Sequence, residues 1–247
     1  MQNTDFCLSD WTAEDYEHLK KHLKELADPS YLSFHQKLVP GVENLLGIRI
    51  PVLRGLAKEI AKGGTDGCHS YFALTENTCY EEVMLYGMMI GLAKLDLSAL
   101  CRELDRFVPL IDNWAVCDTC CAGLKAAKKY PEEMLAYLQK YLCSEQEFEL
   151  RFALVMLVDY YIDHRHIDLV LNKYGAVRHP GYYVRMAAAW GLSVCLVKYR
   201  DRTLQFLEQC ELDDFTYNKT LQKAIESDRI SKEDKELFRS MKRQKKA

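Results

Sequence analysis

Residues 151–162 read RFALVMLVDYYI, a strongly apolar run, and its reading decides the fold. Taken alone, it fits a buried strand. Its length, and the helix-period patterns on both sides, make it a buried helix instead. EFEL precedes it, and HIDLVLNKY and GYYVRMAAAWGLSVCLVKY follow. No segment shows the period-two alternation of a half-buried strand.

Working outward, the same 3.6-residue period recurs. TAEDYEHLKKHLKELAD opens with Thr12 as an N-cap and Asp15 three residues on, a capping-box-like start, with a stripe of Tyr16, Leu19, Leu23 and Leu26. SYLSFHQKLVPG predicts a short helix closed by Pro40-Gly41. IRIPVLRGLAKEIAKGG places Pro51 in a first turn and Gly63-Gly64 past the end. CYEEVMLYGMMIGLAKL, LSALCRELDRFVPLI, NWAVCDTCCAGLKAAKKY, PEEMLAYLQKYL, DDFTYNKTLQKAIESD and SKEDKELFRSMKR continue the series. Connections are short, and no low-complexity segment divides the chain. One all-α domain over residues 1–247, a stack of antiparallel helix pairs, is the expected architecture. No strict repeat period is visible. Stacked pairs curve and present a concave face, which is where a ligand is expected.

Composition narrows the function classes. The 247 residues carry a net charge of −3 and ten cysteines, with a pI near 6.2. No run approaches the roughly twenty apolar residues of a membrane span. The N-terminus, MQNTDFCLSDW, lacks the basic and apolar regions of a secretory leader, so a cytoplasmic protein is expected. Cysteines set among apolar helical residues, such as Cys101 and Cys195, read as reduced, buried thiols. The low pI hides an asymmetry: from Lys219 to the end there are ten Lys and Arg against five Asp and Glu, finishing in KRQKKA.

Several motifs are weighed and set aside. Cys117, Cys120 and Cys121 contain a CxxC, but a zinc site needs about four ligands and no second pair accompanies it. His164-Arg165-His166 is a lone HxH. GGTDGC at 63–68 lacks the Lys-Ser/Thr of a P-loop and reads as a helix stop and loop. No HExxH, GxSxG or EF-hand pattern occurs.

IDNWAVCDTC, residues 111–120, poses the functional question. Trp114 and Asp118 are one helical turn apart, so they share a face. Arg151 opens the apolar helix, where a lone Arg ordinarily sits at a rim. Trp190 stands among small residues in MAAAWGLSV. Singly, each is an ordinary core or edge residue. Together, two indoles and a carboxylate suit a cationic group, because aromatic faces attract cations by roughly 0.5–2 kcal/mol. A carboxylate in a dry cleft stabilises positive charge further, and an Arg grips phosphate bidentately.

On IRIPVLRGLAKEIAK, DNWAVCD, LRFALVMLVDYYID and YYVRMAAAWGLSV, in that order, the chain resembles the AlkD-type alkylpurine DNA glycosylases, the DNA alkylation repair enzymes built of HEAT-like repeats. The resemblance runs from about Tyr16 to Ser227. The family's W-x-x-x-D falls on Trp114 and Asp118, its Arg before an apolar helix on Arg151, and its late Trp on Trp190. The resemblance implies a superhelical stack of HEAT-like pairs with a concave, DNA-holding face. It implies base excision repair chemistry: excision of cationic N3- or N7-alkylated purines from double-stranded DNA, with no metal or organic cofactor and no pocket for a flipped base. It assigns Asp118 to the oxocarbenium-like sugar and the attacking water, Trp114 and Trp190 to the deoxyribose and backbone, and Arg151 to phosphate.

If DNA is the ligand, the cations must gather on one face. Arg54, Lys58, Arg185 and Lys219 are expected to bind it, with Arg49, Lys125 and Lys223 as further candidates. No long coiled-coil seam is present, and a monomer is expected. The alternative from a different class is a helical scaffold that holds nucleic acid or protein on its concave face without chemistry.

Overall fold

The computed structural model describes residues 5–244; Lys245 and Lys246, part of the basic C-terminal tail, lie outside them. The described residues form fifteen α-helices and one 3-10 turn at Val108–Leu110, with no strand. The all-α expectation holds, and RFALVMLVDYYI is a helix. By its internal contacts the chain divides between Met134 and Leu135 into two compact units.

The first unit opens with α1 (Ala13–Glu25), where Thr12 caps Asp15 and the Asp15 side chain returns to the Thr12 backbone, the full capping box. After it come α2 (Pro29–His35), α3 (Ile50–Ala61), α4 (Gly64–Leu74), α5 (Tyr80–Leu92), α6 (Leu97–Phe107), α7 (Trp114–Cys121) and α8 (Ala126–Lys129). Helix α3 packs on both α4 and α5, and α5 on both α6 and α7. Helices α3 and α5 therefore each meet the next helix and the next but one, a pattern that stacked helix pairs would give. Helix α9 (Pro131–Leu142) spans the division. The second unit continues with α10 (Glu147–Tyr160), α11 (Ile167–Gly175), α12 (Tyr182–Lys198), α13 (Arg200–Gln209), α14 (Asp214–Glu226) and α15 (Lys232–Met241). There α12 packs against α10, α11, α13 and α14. Helices α5 and α10 are buried along nearly their whole length, which explains the missing polar face in their sequences.

Two local expectations fail, and one helix has no counterpart in the sequence pattern. GGTDGC is not a loop: α4 begins at Gly64. The glycines make room for a passing backbone, since a Cβ on Gly63 would lie 1.9 Å from the Leu8 carbonyl oxygen, and one on Gly67 2.1 Å from it. NWAVCDTCCAGLKAAKKY is two helices, α7 and α8, parted by a turn at Gly123. RDRTLQFLEQ forms α13, a helix with only Thr203 and Leu207 buried, too narrow a stripe to register as a period.

His35 ends α2 as a buried imidazole. Its Nε2 lies 3.0 Å from the Tyr80 hydroxyl, and Tyr31 stacks on its ring. Burial pulls its pKa down, against a smaller upward pull from Glu81. The folded state therefore favours the neutral ring, and the unfolded chain takes up a proton first as pH falls below about 6.5. Stability present at pH 7 is lost on acidification through that range. Thermal melts at pH 7 and pH 5 should show a smaller fall in Tm for His35→Gln than for wild type; an equal fall would assign the acid sensitivity to other groups.

Candidate functional site

Helix α7 is started by Asn113, whose side-chain oxygen accepts from the Val116 N–H at 2.9 Å while its amide donates to Asp112 at 2.7 Å. This cap makes Trp114 the first helical residue and sets Asp118 one turn along. Ala115, Val116, Cys117, Cys120 and Cys121 point into the core and are buried; Trp114 and Asp118 are half-buried at its edge. An aromatic ring and a carboxylate thus share the outer edge of an otherwise apolar helix. The indole is held in place: its Nε1–H donates to the Leu38 carbonyl at 2.8 Å. That acceptor is a backbone atom, which sequence could not reveal.

The cysteines of α7 are packing groups. Cys120 lies against α5, its thiol directed at the Met84 carbonyl at 3.8 Å, and burial pushes its pKa well above the ordinary thiol value. A protonated thiol of this kind is a poor nucleophile and metal ligand. None of the ten cysteines forms a disulfide, and no group of three or more metal-ligating side chains occurs among the described residues. His166 instead pairs its Nδ1 with Asp163 at 2.9 Å.

Beside α7 a cleft of about 290 Å³ is lined by Arg54 and Lys58 of α3, Leu92 of α5, Thr119 of α7, and Gly123 and Lys125 of the following turn. Arg54, Lys58 and Lys125 are exposed, so three of the expected cations gather there, and Thr119, which follows Asp118, lines the same cleft. Arg49 does not join them as a spare charge. Its guanidinium pairs with Asp28 at 3.1 Å and covers the Tyr31 ring at 4.8 Å.

In the second unit Arg151 is buried, only 6% exposed, not at a rim. Its Nη1 donates to the Tyr183 carbonyl at 2.7 Å, which offsets part of the cost of removing a guanidinium from water. The Tyr183 N–H in turn donates to Glu147 at 2.6 Å. Glu147 and Arg151, one turn apart on α10, therefore hold the first turn of α12 between them. Neither Glu147 nor Tyr183 was a sequence candidate; the Tyr182-Tyr183 doublet was the available signal. Trp190 follows farther along α12, half-buried beside fully buried Ala187, Ala188 and Ala189. Arg185 lies 4.5 Å over the Phe215 ring and 3.9 Å from Asp213. Lys219 lies 6.0 Å from the same ring, and Lys223 follows one turn later on α14.

Trp114, Asp118, Arg54 and Lys58 thus belong to the first unit, and Arg151, Trp190, Arg185 and Lys219 to the second. The model of a protein family described as DNA alkylation repair enzyme matches residues 19–232. The chain belongs to the DNA alkylation repair enzyme family. No curated protein and no solved structure matched it. The family match takes in every candidate site residue of both units. It leaves out α15 beyond Lys232 and the segment that follows. No helix among the described residues is long and apolar enough to cross a membrane.

Proposed function

We propose that this family member is a DNA glycosylase that excises cationic N3- or N7-alkylated purines from double-stranded DNA. The observation that carries the reading is the pair on α7. An anchored indole and a half-buried carboxylate stand one turn apart on a helix whose Thr119 lines a cleft edged by three cations, in a chain of DNA alkylation repair type.

The chemistry asks little of the protein beyond electrostatics. An N3- or N7-alkylated purine carries a positive charge. When its C1′–N bond breaks, the electron pair leaves with the base, which departs neutral, and the charge moves to the sugar as an oxocarbenium ion. A water then adds to C1′ and gives up a proton, leaving an abasic sugar. The leaving group needs no protonation, so no general acid is required. Asp118 faces the sugar, stabilises its charge and orients the water. At about 4 Å and an effective dielectric near 20, that attraction is worth about 4 kcal/mol, or close to a thousandfold in rate. Trp114 offers a π face to cationic charge, and Trp190 is assigned the same role in the second unit. Arg151 acts at the phosphate and through its hold on the start of α12. In this reading the base is not drawn into a pocket, and a monomer suffices.

The test is release of 7-methylguanine and 3-methyladenine from methylated duplex DNA, read by chromatography. Free base above the spontaneous rate is expected.

Binding has its own signature. Arg54, Lys58, Lys125, Arg185 and Lys219 would give about five phosphate contacts and a log K against log salt slope of about −4 to −5. Replacing Arg54 and Lys58 together by Ala should flatten that slope by roughly 2. A slope near zero in wild type would remove nucleic acid as the ligand.

A further inference from the structure

The second unit carries a connected set of rings and cations that the reaction above does not use. The Tyr183 ring packs on Phe148 of α10 with centroids 5.2 Å apart. Tyr182 meets Tyr183 edge-on at 5.2 Å and leans on Phe215 of α14 at 5.9 Å. Arg185 and Lys219 then flank Phe215 at 4.5 and 6.0 Å. Tyr182 sits in the middle of this set, yet it is 52% exposed. Its neighbours fix the ring on two sides and leave the rest in water.

The cations beside it are not consumed by local pairing. Arg185 approaches Asp213 only to 3.9 Å, and its Nε, itself buried, has no hydrogen-bond partner among the described residues. Asp213 is engaged in capping α14, where it accepts from the Thr216 N–H at 3.1 Å and the Thr216 hydroxyl at 2.6 Å. Exposed aromatic surface alone would fit many ligands, and half-buried cations alone would fit the phosphates of any duplex. A half-exposed ring 5.9 Å from a second ring that carries two cations matches a nucleotide whose base is free to stack, with a ring for the base and charges for the phosphates.

We infer that Tyr182, together with Arg185 and Lys219, forms a docking platform for an unpaired nucleotide of DNA: the base stacks on the Tyr182 ring while the guanidinium and ammonium take the flanking phosphates. The inference rests on DNA being the ligand and not on the glycosylase chemistry. It gives the second unit a preference for single-stranded or locally unpaired DNA over intact duplex.

Fluorescence anisotropy of the full chain tests it, with a labelled twelve-residue oligothymidylate and with the same strand annealed to its complement. Tyr182→Ala should weaken binding of the single strand by roughly tenfold, the scale of one lost stacking contact, and change duplex binding by less than about twofold. Tyr182→Phe, which keeps the ring, should bind as wild type does. Equal weakening toward both DNAs, no weakening toward either, equal loss in the Phe and Ala variants, or no wild-type binding to the single strand would each overturn the platform. Base release from methylated duplex is read separately, so failure there removes the glycosylase reading while leaving the stacking test intact.

Discussion

Asp118→Asn should release 7-methylguanine from methylated duplex DNA roughly a hundred to a thousand times more slowly than wild type, while binding that duplex with comparable affinity. The substitution keeps the shape of the side chain and removes its charge. That charge does its work only when the sugar becomes cationic, so its loss should appear in the chemical step and not in ground-state binding. The comparison variant is Trp114→Ala, which removes the ring and frees the Leu38 carbonyl it now engages. That change should weaken binding and chemistry together. If Asp118→Asn cuts at the wild-type rate, the carboxylate is not the group that stabilises the sugar, and the mechanism needs another anion.

The second large effect is on folding. Glu81→Ala should destabilise the protein by roughly 3–5 kcal/mol, because it leaves several buried donors without an acceptor at once. Glu81 is fully buried near the start of α5. Its carboxylate accepts three successive backbone N–H groups, from Leu46 at 2.9 Å, Gly47 at 2.8 Å and Ile48 at 3.1 Å. Those residues lead directly into α3, which carries Arg54 and Lys58. Gly47 has φ +86°, and any side chain there would also run into Leu32, so the loop has one conformation and one acceptor that satisfies it. Denaturant melts should show the loss, with Glu81→Gln falling between Ala and wild type because one oxygen acceptor remains. A Glu81→Ala protein as stable as wild type would mean that the loop finds other partners at no cost.

Helix content was legible where burial was one-sided or complete over a long run: α1 through its capping box and stripe, α10 through a run too long for a strand. It was illegible where glycines stood for packing and not for turns, as at Gly63 and Gly67 under Leu8, and where only two residues of a helix are buried, as in α13. The candidate site followed the same division. Trp114 and Asp118 at i and i+4 could be read from spacing alone, since a helix fixes their common edge. The groups that hold the site could not. The Leu38 carbonyl is a backbone atom 76 residues from its indole, and Glu147 looked like any acidic residue in a first turn until its bond to Tyr183 was seen. A lone Arg ordinarily sits at a rim, yet Arg151 is buried, for a related reason. A guanidinium can be buried when a carbonyl meets it, and no sequence pattern announces that carbonyl.

The central claim is that this chain breaks a glycosidic bond. A duplex bearing a single 7-methylguanine, incubated with excess wild-type protein and followed through one turnover, tests it most directly. The account predicts free 7-methylguanine and an abasic site in equal amounts, both lost together in Asp118→Asn. Duplex that is bound but yields neither product would contradict it and leave a DNA-holding helical scaffold in its place.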